Sequence, residues 1–209
     1  INLASPDEAL WTKSVDAFGI ELERCDALGI PWLVVHPGAH VGSGVTAGIS
    51  RVAAALDRAL TGSSRGTGVL LENTAGQGTS LGWRLEHLRE LLLVQRTGVC
   101  LDTCHLFAAG YDLRTPRAYE RTMREIEATI GLDRVRAFHL NDSKGALGSR
   151  IDRHEHIGRG ALGGRALARL VRDPRFARIF GVLETPKAGG MDRRNLAYLR
   201  RLRRGSALP

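Results

Sequence analysis

The sequence predicts a parallel α/β fold, and two observations carry that expectation. Short apolar runs near residues 32–35, 68–71, 98–101, 135–138 and 180–183 alternate with segments of helical periodicity. Continuous apolar strands separated by helices describe a parallel sheet covered on both faces. Each run also ends on a side chain able to bind a metal: His36, Glu72, Asp102, His139 and Glu184. In such sheets the loops at the C-terminal strand ends converge, and function gathers there. One histidine closing one strand would mean little; its recurrence strand after strand is a pattern.

The elements follow in order. Ile1-Asn2-Leu3-Ala4 opens the chain as though in mid-element and reads as the tail of a strand. Ser5-Pro6-Asp7-Glu8 signals a helix start, with Ser5 as N-cap, Pro6 at the first helical position and Glu8 three after the cap. Leu10, Trp11, Val15, Phe18, Leu22 and Leu28 then recur at helical spacing until Gly29 stops the run. Strand 32–35 ends on His36 and turns at Pro37-Gly38. An Ala-rich helix over about 46–60, closed by Gly62, leads to strand 68–71 and a Gly-rich turn. A helix through Leu85, Leu88 and Leu92 precedes strand 98–101. Thr115-Pro116 caps a helix with Tyr119, Met123 and Ile126 on one face, which leads to strand 135–138. A ligand-rich loop, a helix through Leu167 and Leu170, strand 180–183 and a last helix over about 192–203 complete the chain.

A complete eight-fold barrel takes about 250 residues. These units plus a leading stub, in 209 residues, fit the later part of such a barrel as one domain, 1–209, lacking its first strands. On that reading the strand at 32–35 meets only Ile1–Ala4 on its open side, and the unpaired edge invites association.

Composition excludes several classes. At 43% hydrophobic and 25% charged residues the chain reads as a soluble globular domain, with no apolar run of membrane-spanning length and no secretory signal. The net charge of +8 suggests an anionic partner, nucleic acid first. Yet the arginines are scattered, and the cluster Arg200, Arg201, Arg203, Arg204 reads equally as a solvated helix end. Cys25, Cys100 and Cys104 lack the paired spacing of a disulfide framework or zinc ribbon. They point to a reducing, cytoplasmic setting.

The stretch from Phe138 to Gly160 holds His139, Asp142, Asp152, His154 and His156 with little apolar mass. Imidazoles and carboxylates are the usual ligands of zinc and similar ions. Asp152 and His154 sit two apart, so in extended chain both point to one side and can meet one ion. By itself the stretch reads equally as a solvated polar loop; the strand-end pattern decides for ligands.

Taken together the motifs resemble the endonuclease IV family, zinc-dependent apurinic/apyrimidinic endonucleases of DNA repair. The matching pieces are H-P-G-A-H (36–40), L-E-N-T-A-G-Q-G-T-S-L-G (71–82), G-V-C-L-D-T-C-H-L-F-A-A-G-Y-D (98–112), F-H-L-N-D-S-K (138–144), D-R-H-E-H-I-G-R-G (152–160) and L-E-T-P (183–186). They run in family order over nearly the whole chain. The resemblance implies a xylose-isomerase-like (β/α)8 TIM barrel with three zinc ions at its C-terminal mouth. It implies that His36 and Glu72 hold the first zinc, with Glu72 shared with the second, and that Asp102, His139 and Glu184 complete the second. His105, Asp152 and His154 would hold the third. Glu72 and Glu184 would also be catalytic. The family takes a further histidine for the first zinc from a position before Ile1, and Arg159 stands where its pattern has Glu or Lys.

The implied reaction is hydrolysis of the phosphodiester on the 5′ side of an abasic site in duplex DNA, leaving a 3′-hydroxyl. The implied protein is a monomer when complete and has no membrane partner. A phosphodiester is anionic and resists attack; metals sharing a carboxylate activate water, and another stabilises the departing oxygen. A sugar without a base costs less to turn out of the helix.

Other residues carry plainer readings. His40 suits a hydrogen bond behind the ligands, His87 a surface helix, and Cys104 packing in place of coordination; His156 matches no ligand position. Gly76-Gln77-Gly78 lacks the Lys-Ser/Thr of a phosphate-binding loop. Two alternatives stand beside the nuclease. One is a metal-dependent sugar isomerase or epimerase of the same barrel class, for which Glu72, Asp102, His139 and Glu184 would suffice. The other is an inactive fragment that binds DNA or metal.

Overall fold

The computed structural model describes residues 1–62 and 66–205. The chain forms two compact units, Ile1–Cys100 and Leu101–Pro209.

The first unit opens on a turn, not on the strand tail its sequence suggests. Leu3 and Ala4 are buried, and the Asn2 side chain bridges to the backbone after the first strand. Its Nδ2 donates to the Ala39 carbonyl at 2.8 Å, and its Oδ1 accepts from the Ala39 and Ala4 amides at 2.9 and 3.1 Å. A Cβ on Gly38, whose φ is +101°, would collide with that Asn2 oxygen, so the family-like H-P-G needs its glycine.

Helix α1, Glu8–Leu28, is capped by Asp7, whose carboxylate accepts from the Leu10 amide at 2.7 Å. Ser5 is not the cap; its hydroxyl accepts from the Asp7 amide, which leaves Pro6 outside the helix. Gly29 terminates α1 in the left-handed region as expected. Val15, Phe18, Leu22 and Cys25 form the buried stripe, while Leu10 and Leu28 are exposed at its ends.

Strand β1, Trp32–Val35, helix α2, Val45–Gly62, strand β2, Gly68–Glu72, helix α3, Leu85–Leu91, and strand β3, Thr97–Asp102, follow in turn. β1 pairs parallel with β2, from Trp32 opposite Gly68 to Val35 opposite Leu71, and β2 pairs parallel with β3, from Val69 opposite Thr97. Every residue of β2 and β3 is buried, as uninterrupted apolar runs in parallel sheets require. The loop after β1 is tied to the Gly-rich loop after β2 by Leu81 N–H to Gly38 O at 2.8 Å and His40 N–H to Thr79 O at 3.1 Å.

In the second unit Asp102 leads directly into helix α4, Thr103–Ala109, a short element that the sequence did not reveal. Helix α5, Pro116–Thr129, is capped by the Thr115 hydroxyl and buries Tyr119, Met123 and Ile126, as read. Strand β4, Val135–His139, is followed by β5, Asp142–Ser143, and β6, His154–Glu155, which pair antiparallel with Ser143 opposite His154. Helix α6, Gly164–Arg172, strand β7, Phe180–Val182, and helix α7, Met191–Arg203, complete the unit. β7 runs parallel to β4 with Val182 opposite His139, so it stops two residues short of Glu184. Among the described residues no helix is long and apolar enough to cross a membrane.

Candidate metal centre

Within the first unit, Glu72 closes β2 and His36 follows β1. The tied loops bring His36 Nε2 within 3.2 Å of Glu72 Oε2, with the Glu72 side chain almost fully buried. A carboxylate so placed needs a cationic or hydrogen-bonding partner.

In the second unit Asp102 is completely buried, and both of its oxygens are engaged. Oδ1 caps α4 by accepting from the His105 amide at 2.7 Å; Oδ2 accepts from Asn141 Nδ2 at 2.6 Å. His139, the last residue of β4, lies with Nδ1 3.0 Å from Glu184 Oε2. Asp102, His139 and Glu184 each offer a donor atom within 4.8 Å of the others, which is the reach of one or two cations.

A second convergence lies beside the first. The cap places His105 on the first turn of α4, pointing Nε2 at Asp152 Oδ1, 3.2 Å away, and at His154 Nε2, 3.3 Å away. Asp152 Oδ1 is 3.6 Å from His154 Nε2. The other ring nitrogen of His154, Nδ1, lies 3.1 Å from the Glu184 carbonyl. A carbonyl only accepts, so Nδ1 carries the hydrogen and Nε2 presents its lone pair to the cluster when the ring is neutral. Two imidazole nitrogens and a carboxylate oxygen facing one point are a donor set suited to zinc. The shared direction read from the Asp152/His154 spacing is thus met, although only His154 lies in a strand.

Other readings fare unevenly. Asp142, counted with the ligand-rich stretch, binds no side chain of the cluster. Its buried carboxylate accepts from four backbone amides, those of Ser143, Gly158, Leu162 and Gly163, at 2.8 to 3.1 Å. His87 is buried, not on the surface; its Nδ1 accepts from the Gly82 amide at 3.2 Å, and burial, then the Arg84 charge, lower its pKa. His40 Nδ1 accepts from the Gly44 amide, and His156 Nδ1 meets Asn195 Nδ2 at 3.1 Å. Cys104 is fully buried and lies within the same reach of Asp102 and His154. Burial and the Asp102 charge push its thiol up to about 11, which keeps it a neutral packing group. The role of Asn141 had no signal in the sequence beyond its place in F-H-L-N-D.

A cavity of about 1020 Å³ elsewhere in this unit is lined by Tyr119, Glu120, Arg165, Arg169, Arg172 and Arg175. It contains none of the candidate ligands, so volume alone does not mark the chemistry.

Parallel strands with His, Asp and Glu grouped near their C-terminal ends define an α/β protein whose side-chain clusters are able to hold a metal. Residues 1–202 match the AP endonuclease 2 family, described as a xylose isomerase-like TIM barrel, and the chain belongs to it. It is 54% identical over 213 residues to a probable endonuclease 4 of Chloroflexus aurantiacus, covering 99% of this chain and 75% of the relative. The crystal structure of endonuclease IV from Thermus thermophilus is similar with a TM-score of 0.86 at 37% identity, over 99% of this chain and 73% of that one. A D-tagatose 3-epimerase-like protein is similar at a TM-score of 0.73, over 99% of this chain and 76% of that one, with 20% identity, a likeness of fold alone.

Proposed function

We propose that this chain is a DNA repair endonuclease that hydrolyses the phosphodiester on the 5′ side of abasic sites in duplex DNA, leaving a 3′-hydroxyl. The names of its relatives support a nuclease. The observation that carries the reading is the pair of donor groups in the second unit, Asp102/His139/Glu184 and His105/Asp152/His154. A sugar epimerase site with a single ion has no use for the second group.

Zinc is the cation proposed, three ions in the complete protein, because imidazole nitrogens and carboxylate oxygens converge in a donor set that zinc takes. When bound it supplies positive charge for the phosphodiester and lowers the pKa of water toward neutrality. The chain's own residues do the holding. His105, Asp152 and His154 would bind one ion, and Asp102, His139 and Glu184 another. His36 and Glu72 would bind in the first unit. Glu72 and Glu184 are proposed as the catalytic carboxylates, the first buried and held by His36, the second accessible to substrate and paired with His139. The net charge of +8 favours the polyanion and predicts binding that weakens steeply with salt.

The test is nicking of a duplex that carries one abasic site, together with zinc content, for the parent, His105→Ala and Asp152→Ala. Loss of zinc and of most strand cutting in both variants is expected. Full zinc and full cutting in either would refute the ligand assignment, and ketose or aldose isomerisation without cutting would favour the epimerase reading.

A further inference from the structure

We infer that Asn141 is a positioning residue that sets the relative placement of two candidate ligands, Asp102 and Glu184; the inference rests on the metal-centre reading above. Its side chain is fully buried and each end meets a different strand-end segment. Nδ2 donates to Asp102 Oδ2 at 2.6 Å, and Oδ1 accepts from the Glu184 amide at 2.9 Å.

The chemistry of these partners dictates which way the amide points. A carboxylate only accepts and a backbone N–H only donates, so the flipped amide would set acceptor against acceptor and donor against donor. The residue that bridges the two must offer one donor and one acceptor at a fixed separation. Asp lacks the donor when ionised, Leu lacks both, and Ser is too short to span. The bridge is itself held. Thr103 Oγ1 donates to the Asn141 carbonyl at 2.6 Å and accepts from its amide at 2.9 Å, so the residue after Asp102 fixes the backbone of the residue that orients Asp102.

Two consequences follow. Asp102 Oδ1 is committed to the His105 amide, so Asn141 determines the rotation of the carboxylate about its remaining freedom and hence the direction of the Oδ2 lone pairs. Glu184 is anchored by its amide two residues beyond the end of β7, where the sheet no longer holds it. Its carbonyl in turn receives His154 Nδ1. A single side chain thereby reaches both donor groups. Partners of this kind behind metal ligands are worth about 10–100-fold in metal affinity.

The experiment loads the parent chain, Asn141→Ala and Thr103→Val with Co²⁺, reads affinity by competition with a chelator, and records the visible d–d bands. Thermal unfolding of each metal-free protein runs alongside. Asn141→Ala is expected to weaken Co²⁺ binding about 10–100-fold and to shift the bands while the protein remains folded. Thr103→Val, which keeps every ligand and the Asn141 side chain, is expected to move both readouts the same way by a smaller factor. A purely structural Asn141 would lower the unfolding temperature and leave affinity and bands at parent values in the folded protein; that result overturns the inference. Should Asn141→Ala not fold, Thr103→Val decides by the same two readouts. A parent chain that takes up no Co²⁺ overturns the metal-centre reading and this inference together, whereas a loaded parent matched by its variants overturns the positioning role alone.

Discussion

Replacing Asp142 by Asn should destabilise the protein far more than its size suggests. Three of the four amides that Asp142 receives go to Oδ1, from Ser143, Leu162 and Gly163, and one goes to Oδ2, from Gly158. An Asn side chain does best by keeping its oxygen at the Oδ1 position, which turns its NH2 against the Gly158 N–H. The charge-assisted bond lost there is worth about 1.5–3 kcal/mol. Each of the three remaining bonds falls from a charged to a neutral acceptor, at roughly 0.5–1 kcal/mol apiece. The sum is roughly 4 kcal/mol, and at about 2–4 °C per kcal/mol for a chain of this size the melting temperature drops by roughly 8–16 °C. Far-UV circular dichroism on metal-free parent and variant measures it, with exchange of the Gly158 amide as a local check. An Asp142→Asn variant melting within about 2 °C of the parent, on the scale of that estimate, would refute the claim that this carboxylate holds the loop after His154.

Further outcomes follow from other sites. Gly160→Ala would drive a Cβ into the Ser143 carbonyl and the Asp142 carboxylate, costing about 1–3 kcal/mol in a urea titration, whereas Gly19→Ala, inside α1 with open space around it, should gain roughly 0.5–1 kcal/mol. Tyr119→Phe removes a 2.7 Å hydrogen bond to the buried carboxylate of Asp173 and should cost about 1.5–3 kcal/mol by the same titration, while a neutral result would mean that Arg175 alone satisfies Asp173. The pKa of His87 is lowered from its ordinary 6.5 by burial and then by Arg84, so below that value the unfolded chain binds a proton that the folded one resists. Stability should fall as pH drops through that value, with no contribution from this group above it. In His87→Gln, which keeps an acceptor for Gly82, the slope between about pH 7 and 5 should flatten; parallel urea-midpoint curves would show that His87 does not titrate on unfolding.

Glu72 and Asp102 were legible because burial on both faces leaves β2 and β3 one place to put a charged residue, their C-terminal ends, whereas β7 is exposed along its length and its apolar run says less. Helix α5 was legible because Thr115-Pro116 offers a single cap. The start of α1 was misread because Ser5 and Asp7 both suit an N-cap. Only the three-dimensional path of the turn, with Asn2 bonded to Ala39 and Ser5 receiving the Asp7 amide, decides between them. The same bond made Ile1–Ala4 a turn where apolar composition suggested a strand. Helix α4 is buried from Thr103 to Ala108 and so shows no polar face to give a period, and β5 and β6 have 2 residues each, too few for an alternation to show. His87 was taken for a surface residue because its partner, the Gly82 amide, belongs to a loop packed against α3, and no spacing encodes that contact. Asn141 escaped notice because a buried amide between two ligands looks, in sequence, like any turn-forming Asn.

The double use of Asp102 turns one backbone amide into a reporter. Its Oδ1 holds the His105 N–H while the same carboxylate presents its other oxygen to the ligand cluster. Any cation that draws electron density from Asp102 weakens its grip on that proton. The resonance of the His105 amide should therefore move as the centre fills. A labelled sample would reveal occupancy from a single peak, with no DNA, no dye and no turnover.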